Sequence, residues 1–516
     1  MSEYGFWSFA QRDPERIALV DPSGRQWSRG ELLARANRLV HGLRSEGMQK
    51  GDCLAVVLPN SAEMIALYLA AGQAGWYLVP INTHLTAGEI AYILQDSEAK
   101  IFVGAERFAP ACSGAAREAG LRPEQCFALG SIPGFRPLDD LERGQPATMP
   151  PDRTAGQVMN YTSGTTGRPK GVRRPLSPYD PDTVFSMYAW FLAMFGIQPE
   201  NDNVHLTGSP LYHTAVLLFA GASLHFGHAV VLMDKWTPEA CLDIVQRYRT
   251  TTTHMVPTQF HRLLALPEDV KRRYDVSSWR HVIHAAAPCP VEVKRRMLEW
   301  WGPVIYEYYA ASEGGGTIVT PEEWLKYPGT VGRAWPGAEI RILDDEGRDC
   351  PPGVPGTVYM KLGQADFEYH KDKAKTEANR REGFFTVGDV GYLNEEGYLF
   401  LCDRKIDMII SGGANIYPAE IESVLLTHPK VADAAVFGIP HEDWGEEVKA
   451  VIEPAPDVQP GPELAEELLA FCRERLASYK CPRSIDFIDQ MPRDPNGKLY
   501  KRKLRDPYWA GRDRKI

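Results

Sequence analysis

The sequence lacks the patterns that usually hold cysteines in pairs. It contains nine cysteines, an odd number, scattered along 516 residues without one C-x-x-C spacing. Neither a framework of disulfides nor a structural zinc site is therefore expected. A reducing, cytoplasmic environment is the simpler interpretation of this cysteine usage.

Segments that would direct the chain into a membrane are also missing. The first twenty residues contain no basic region followed by an apolar stretch, so no signal peptide is predicted. No run of about 18 apolar residues occurs, which argues against a membrane-spanning helix. Peripheral contact with a membrane surface is left open.

The chain has fewer basic than acidic residues. The chain has 57 Lys and Arg against 67 Asp and Glu, a net charge of -10. This balance argues against broad electrostatic binding to nucleic acid or to an anionic membrane, although a local basic site stays allowed. Small molecules are the expected partners, and the sequence does not decide between a monomer and a homodimer.

An alternation of strands and helices is present instead. Residues 29–47 and 61–75 have helical apolar spacing, and each is followed by a short apolar run, CLAVVLP at 53–59 and WYLVPIN after residue 75. Strand, helix, strand is typical of a parallel α/β unit. After about residue 340 short strands alternate with Gly, Pro, Asp and Asn turns, and a small mixed α/β region follows.

The length exceeds what one simple core supports, so at least two domains are expected. We place the boundary at residues 403–406, which gives an N-terminal domain over 1–403 and a C-terminal domain over 404–516. A single continuous domain with a turn at this point is the alternative.

One loop combines glycines, hydroxyl groups and a lysine. Residues 161–172 read YTSGTTGRPKGV. Such a loop can turn its amides and hydroxyls around an anion, and the lysine adds charge, which suits a polyphosphate. The Walker pattern does not apply, because Lys170 is followed by Gly171. A flexible polar linker is the alternative for this loop taken alone.

This loop resembles the phosphate loop of the adenylate-forming superfamily, which includes acyl-CoA synthetases, aryl-CoA ligases, luciferases and peptide-synthetase adenylation domains. Further motifs that resemble the family follow in its order. They are SPLYHT at 209–214, HAAAP at 284–288, YEYYAASEGG at 306–315, FFTVGDVGYLNEEGYLFLCDRKIDMIISGGANIYPAEIE at 384–422, and PRDPNGKLYKRKLR at 492–505. The resemblance runs from the first helix to nearly the last residue. It implies an α/β fold with a large N-terminal domain of α/β subdomains plus a distorted β-barrel, and a small mobile C-terminal α+β domain.

The resemblance implies an acid–thiol ligase of the acyl-CoA synthetase branch that uses ATP, Mg²⁺ and coenzyme A. A carboxylate would attack the α-phosphorus of ATP and release pyrophosphate, and the acyl group would then pass to CoA after the small domain rotates. Both first reactants are anions, so catalysis would consist mostly of positioning and charge neutralisation. The alternatives are an adenylating enzyme that loads a carrier protein or releases acyl-AMP, a luciferase-like oxygenase, and a non-catalytic nucleotide-binding sensor.

The resemblance also assigns the nucleotide site. It implies that the phosphates lie against Thr162, Ser163, Gly164, Thr165, Thr166, Gly167 and Lys170, with Ser312 directed at the α-phosphate and Glu313 on Mg²⁺. It implies that Tyr309 stacks on adenine and that the backbone of Ala286, Ala287, Glu307 and Tyr308 frames the base. The family usually has glycine where this chain has Ala310.

Three further residues complete this site by resemblance. Asp389 would accept both ribose hydroxyls, Arg404 would be the second ribose contact, and Lys498 would bridge the carboxylate and the α-phosphate. Asp389 and Lys498 also have ordinary structural explanations. Asp389 could be a turn residue and Lys498 a solvated charge, as Glu313 could be a helix cap.

The acyl site is assigned in the same way. His213 resembles the gating aromatic at the carboxylate end of the acyl tunnel, although a buried core histidine is the alternative. The expected lining is Tyr212, His213, Val216, Phe219, Gly221, Met255, Val256, Pro257, Phe260, Tyr308, Gly314, Gly315 and Gly316. This lining is apolar and its glycines leave room, which favours a fatty or bulky hydrophobic acid. Residues 209–226 contain no Asp or Glu to pair a substrate ammonium, so an α-amino acid is disfavoured.

The second reaction needs a tunnel for the thiol of CoA. Ser411, Gly412 and Gly413 resemble the loop that lines the pantetheine tunnel, where missing side chains allow close approach. Trp444 lies in a DWGE stretch that also matches the CoA ligases. At the usual hinge position many relatives carry Lys or Asp, whereas this chain has Ile406, so the hinge residue stays undecided.

Overall fold

A computed structural model describes residues 4–162, 169–310, 315–362, 368–369, 377, 380–493, 497 and 499–511. It divides the chain into two compact units. The first comprises residues 1–254, 268–282 and 366–378, and the second comprises 255–267, 283–365 and 379–516. The boundary between 403 and 404 stays a prediction.

The helices follow the spacing seen in the sequence. In chain order they are α1 Phe6–Arg12, α2 Arg29–Ser45, α3 Ala62–Ala74, α4 Ala87–Asp96, α5 Ala109–Ala119, α6 Pro181–Ala189, α7 Thr214–His225, α8 Pro238–Tyr248, α9 Pro257–Leu264, α10 Glu268–Lys271, α11 Val291–Trp301, α12 Pro321–Lys326, α13 Pro418–Leu425, α14 Pro462–Arg473 and α15 Lys501–Arg505. The expected helix over 29–47 is α2, which begins at a capping box formed by Ser28 and Glu31. The expected helix over 61–75 is α3, which begins after Ser61 and ends at Gly75 with φ 73°.

The strands are short. In chain order they are β1 Ile17–Val20, β2 Gln26–Ser28, β3 Cys53–Val57, β4 Tyr77–Pro80, β5 Ala99–Ala105, β6 Cys126–Leu129, β7 Arg136–Pro137, β8 Gln157–Val158, β9 Asn160–Thr162, β10 Lys170–Arg173, β11 Val204–Thr207, β12 Ala229–Leu232, β13 Thr252–Met255, β14 His281–His284, β15 Ile305–Ala310, β16 Gly316–Val319, β17 Arg333–Ala334, β18 Ala338–Leu343, β19 Gly356–Leu362, β20 Glu368–Tyr369, β21 Arg380–Arg381, β22 Phe384–Phe385, β23 Asp389–Leu393, β24 Leu399–Arg404, β25 Ile409–Ser411, β26 Ala414–Ile416, β27 Val431–His441, β28 Gly445–Pro454 and β29 Ser484–Phe487.

The first unit is built on parallel strands. One sheet has the order β7-β6-β5-β3-β4-β8 with every neighbouring pair parallel. In another, β13, β11, β12 and β1 are parallel neighbours and β2 runs antiparallel to β1. Helix α3 is almost entirely apolar and all of its residues except Glu63 are buried, as expected for a helix enclosed by other elements. The α/β pattern predicted for this part of the sequence is confirmed.

The second unit is mostly antiparallel. Strands β15, β16 and β17 form antiparallel pairs. A six-stranded sheet has the order β21-β22-β19-β23-β24, and β18 pairs with β19. A five-stranded sheet has the order β26-β25-β28-β27, with β29 parallel to β28. Helices α13 and α14 pack on this last sheet through buried aliphatic residues such as Ile421 and Leu468.

Candidate active site

The predicted ribose contacts lie together in the second unit. Asp389 begins β23 and Arg404 ends β24, and the two residues are direct partners across these antiparallel strands. The Nε atom of Arg404 is 3.6 Å from Oδ1 of Asp389. The hydroxyl group of Tyr309 on β15 donates a 2.6 Å hydrogen bond to Oδ2 of the same carboxylate. The Asp389 carboxylate therefore contacts both Tyr309, which is predicted to stack on adenine, and Arg404, which is predicted to be the second ribose contact.

Strand β15 is anchored beneath Tyr309 by a buried ion pair. The Nζ atom of Lys294, on α11, donates a 2.7 Å hydrogen bond to Oε2 of Glu307. The Nε2 atom of His284, at the end of β14, lies 3.3 Å from the same oxygen. Burial alone favours the neutral acid, but the charge of Lys294 and the contact with His284 outweigh it and lower the pKa of Glu307 to about 2.

Sequence reasoning missed Lys294 and His284 as site residues. A signal existed for the lysine, because it shares the buried face of α11 with Met297, Leu298 and Trp301. A charged residue on the apolar face of an amphipathic helix is rarely fully buried without a partner. His284 is the first residue of the HAAAP motif, so the motif was an available signal for this histidine.

The loop after β14 has an unusual backbone. Ala286 has φ 74°, in the left-handed region that non-glycine residues seldom occupy. The side chain of Tyr308 is buried on β15, and burial raises the pKa of its phenol. Ala286 and Ala287 thus follow β14, and Glu307 and Tyr308 lie on β15. The contact between His284 and the Glu307 carboxylate connects these two segments.

Two of the predicted phosphate-loop residues lie on paired strands of the first unit. Strands β9 and β10 are antiparallel and Lys170 is directly opposite Thr162. The side chain of Thr162 and all atoms of Ser163, Gly164, Thr165, Thr166 and Gly167 lie outside the described residues, as do Ser312, Glu313, Gly314 and Lys498. Among the described residues no group of three or more His, Cys, Asp or Glu could hold a metal ion.

Part of the predicted acyl lining belongs to the first unit. His213 directly precedes α7, and its ring is 4.3 Å from that of Tyr212. Phe219, in the second turn of α7, is buried in a cluster of rings that includes Phe191, Phe195, His205 and His254. Two histidines, His205 and His254, therefore pack against Phe219, although the lining predicted from the sequence does not include them.

The space at Gly221 has a different use from the one expected. Any side chain at this position would overlap the hydroxyl group of Tyr68 on α3. In the first unit the missing side chain therefore accommodates Tyr68. Val216, on the preceding turn of α7, is buried.

The remaining lining residues belong to the second unit. Met255, Val256, Pro257 and Phe260 are buried. The Phe260 ring meets His284 edge-on, with centroids 5.2 Å apart. Gly316 is opposite Ala310 in the β15–β16 pair, and any side chain at Gly316 would overlap the carbonyl oxygen of Tyr309. Gly315 has φ 77°.

The predicted thiol loop is the turn between β25 and β26. Gly412 and Gly413 have φ values of 56° and 82°. The amide of Gly412 donates a 3.0 Å hydrogen bond to the carbonyl oxygen of Trp444. The Trp444 ring is 41% exposed, and it stacks on His441 at 4.6 Å while the guanidinium of Arg483 lies 4.7 Å from its centroid. The loop and an exposed aromatic ring are thus side by side.

Two general features complete the description. The nine cysteines are all free thiols. No helix within the described ranges is both long and apolar enough to cross a membrane.

These features define a nucleotide-binding α/β enzyme of the adenylate-forming class. The chain belongs to the AMP-binding enzyme family. The family model described as AMP-binding enzyme matches residues 6–365, and the model of the AMP-binding enzyme C-terminal domain matches residues 420–498. The superfamily and the fold class predicted from the sequence are confirmed.

Relatives align over nearly their whole length. The fatty acid–acyl-carrier-protein ligase ScoC of Streptomyces coeruleorubidus is 32% identical, covering 98% of this chain and 96% of the relative. The long-chain-fatty-acid–CoA ligase FadD13 of Mycobacterium tuberculosis is 32% identical and covers 98% of both chains. The ATP-bound structure of MatB from Rhodopseudomonas palustris is similar with a TM-score of 0.82 at 31% identity, covering 98% of this chain and 99% of that one.

Proposed function

We propose that this protein is an ATP-dependent carboxylic acid–CoA ligase. In the first step a carboxylate oxygen attacks the α-phosphorus of ATP, the bond to the β-phosphate oxygen breaks, and pyrophosphate leaves. In the second step the sulfur of CoA attacks the acyl carbon, and AMP leaves. The observation that carries the proposal is that the Asp389 carboxylate contacts both Tyr309 and Arg404. The chain also belongs to a family whose relatives include a named CoA ligase.

The residue roles follow from this grouping and from the motifs. Asp389 and Arg404 hold the ribose, and Tyr309, oriented by its hydrogen bond to Asp389, packs against the base. The phosphate loop with Lys170 holds the phosphates, Glu313 holds Mg²⁺ and Ser312 approaches the α-phosphate. Lys498 neutralises charge as the carboxylate and the α-phosphate meet.

The acid is a hydrophobic one, fatty or aryl. Among the lining residues predicted in the first unit, Tyr212 just before α7 and Val216 and Phe219 on α7 have buried apolar or aromatic side chains, and the segment 209–226 has no carboxylate. A desolvated substrate ammonium would lack a partner there, which disfavours amino acids. His213 stands at the start of α7 as the gate at the carboxylate end.

The thiol step uses the turn at 411–413. Its two glycines present backbone without side chains, and Trp444 beside them offers an exposed ring. We propose that residues 404–516 rotate between the two steps, so that Lys498 serves the first and this turn serves the second. The reaction takes place in the cytoplasm.

A second candidate function is transfer of the acyl group to a carrier protein. The specific observation in its favour is the similarity to ScoC, named as a fatty acid–acyl-carrier-protein ligase. Carrier proteins and CoA can present the same pantetheine thiol, so the site chemistry alone does not separate them.

The test is AMP formation by the purified protein with ATP and Mg²⁺ across acids from acetate to long-chain and aryl carboxylates. The assay is run with CoA, with a pantetheinylated carrier protein, and with neither thiol. AMP accumulation that requires CoA, with the acyl-CoA mass observed, is the expected result. Turnover with the carrier protein alone would favour the second candidate, and adenylate formation with no response to either thiol would contradict both.

A further inference from the structure

Backbone contacts near the end of the chain hold the described residues on both sides of Lys498. Arg493 and Leu499 face each other as an antiparallel bridge. The amide of Tyr500 donates a 2.9 Å hydrogen bond to the carbonyl oxygen of Pro492. Gly497, with φ 78°, directly precedes Lys498. The described residues on either side of the lysine are therefore held in place.

The side chain of Arg493 also contacts Gly497. Its Nη1 atom donates a 2.6 Å hydrogen bond to the carbonyl oxygen of Gly497. Its Nε and Nη2 atoms donate to the two carboxylate oxygens of Asp433 on β27, at 2.5 and 2.8 Å. The two side chains are only 16% and 13% exposed. A planar guanidinium in a bidentate pair has little freedom to reorient.

Asp433 belongs to the packed sheet of the C-terminal segment. It lies next to a bulge in the β27–β28 ladder and is opposite Glu453. The carboxylate of Glu453 accepts a 2.6 Å hydrogen bond from the amide of Met491, two residues before Arg493. Met491 and Arg493 are therefore each tied to the sheet, the first through Glu453 on β28 and the second through Asp433 on β27.

The other side of Gly497 faces α9. A side chain at 497 would overlap Oγ1 of Thr258, in the first turn of that helix. The carbonyl of Gly497 is thus bound by Arg493 while its Cα approaches Thr258. Glycine is required here both by the close approach and by the positive φ.

We infer that Arg493 is a positioning residue that holds the Gly497 carbonyl, and through it the backbone of Lys498, for adenylate formation. The inference rests on the proposed function, because Lys498 acts in that step. Arg493 does not touch the reacting atoms. Its effect is confined to the step that uses Lys498, and a displacement of about 1 Å can cost on the order of 100-fold in rate.

The experiment measures the two half-reactions separately in Arg493→Gln. Adenylate formation is followed by ATP–pyrophosphate exchange, and thioester formation is followed from supplied acyl-AMP and CoA. We expect exchange to fall on the order of 100-fold with the KM for ATP nearly unchanged. We expect the thioester step to stay within about twofold of wild type. Equal losses in both steps, or no loss in exchange, would overturn the inference.

Matched variants separate positioning from general damage. Arg493→Lys keeps a charge near Asp433 and should recover part of the exchange activity, whereas Asp433→Asn should lower exchange but not thioester formation. Lys430→Gln is the control, since it removes an exposed ion pair with Glu467 in the same segment. Failure of Lys498→Ala to abolish exchange would instead contradict the proposed function.

A second measurement tests the approach to α9. Gly497→Ala should lower exchange because the added methyl group overlaps the hydroxyl of Thr258 and the positive φ is strained. In the Thr258→Ala background the same change should cost about tenfold less, since the overlap is gone. An identical loss in both backgrounds would show that Gly497 does not face Thr258 during adenylation.

Discussion

The ammonium group of Lys294 lies 2.7 Å from the carboxylate of Glu307, and both side chains are buried. The pair joins α11 to β15, the strand that carries Tyr309. Because burial removes both charges from bulk solvent, each depends on partners within the protein. The strand that carries the residue predicted to stack on adenine is thus supported by a buried ion pair, of which only Glu307 lies in a motif that resembles the family.

Lys294→Met should destabilise the protein by about 3–5 kcal/mol, because it leaves the Glu307 carboxylate buried without its ammonium partner. The measurement is equilibrium urea unfolding, which gives the free energy of unfolding. Lys294→Met combined with Glu307→Leu is the matched control, and it should recover most of the loss since both charges are gone. If Lys294→Met were as stable as wild type, the Glu307 carboxylate would not depend on the ammonium group of Lys294.

Ala286→Gly should stabilise the protein by about 1 kcal/mol. At φ 74° an alanine is strained, whereas a glycine is not, and the relief exceeds the added flexibility of the unfolded chain. Thermal unfolding of the variant beside Ala287→Gly provides the check. The neighbouring change should instead lower stability by roughly 0.5–1 kcal/mol, and equal shifts at both positions would contradict strain at Ala286.

Asp389→Asn should raise the KM for ATP on the order of tenfold and leave the KM for CoA unchanged, because it weakens the proposed ribose contact and removes the charge that faces Arg404. Tyr309→Phe keeps the ring and removes one hydrogen bond, so a smaller increase is expected. The double variant should cost less than the sum of the single changes, since the two side chains share that bond. Strict additivity would argue against the coupling.

Phe219→Leu should shift the ratio of kcat/KM values toward longer or bulkier acids, because a smaller side chain enlarges the wall that Phe219 forms on α7. The shift should be between about 10-fold and 100-fold, the usual range for hydrophobic pockets. Phe195→Leu removes a ring from the same cluster one layer away, and it should cost similar stability without the shift. The comparison uses a chain-length series of acids.

Stability should fall as the pH drops below 6.5. Burial lowers the pKa of His205 and of His225 from 6.5 to about 3. Between these values the unfolded chain binds protons that the folded chain does not, so the stabilising contribution is complete above pH 6.5 and is lost progressively toward pH 3. Each histidine contributes a slope of roughly 1.4 kcal/mol per pH unit.

His225→Asn tests this slope, because its side-chain oxygen can still accept the hydrogen bond from the amide of Phe6. Urea unfolding at several pH values should show a shallower acid dependence in this variant, whatever its stability at neutral pH. His84→Asn, at an exposed position, controls for the removal of one histidine. An unchanged slope in His225→Asn would mean that this imidazole does not stay neutral in the folded protein.

Much of the fold was predictable from local patterns. Apolar spacing and end signals placed α2, α3 and β3 within a few residues of their observed bounds, because these patterns act over one or two turns of chain. Motif resemblance brought Tyr309, Asp389 and Arg404 forward as one site, and the described contacts join them. For Lys498, Glu313 and the phosphate loop the assignments stay predictions, since these residues lie outside the described part.

The sequence by itself determined many of the elements, because apolar spacing is local, and it determined the family, because the motifs follow one another in order along the chain. It also predicted the residue types of a nucleotide site. Only the tertiary structure decided which side chains support that site. Arg493 meets Asp433 across 60 positions, and the hydroxyl of Tyr68 fills the space that Gly221 leaves from a distant helix. Such contacts depend on how the elements pack and not on the local spacing of residues. A buried charge needs a partner, and the space beside a glycine must be filled, and folding supplies both from residues far away in the sequence.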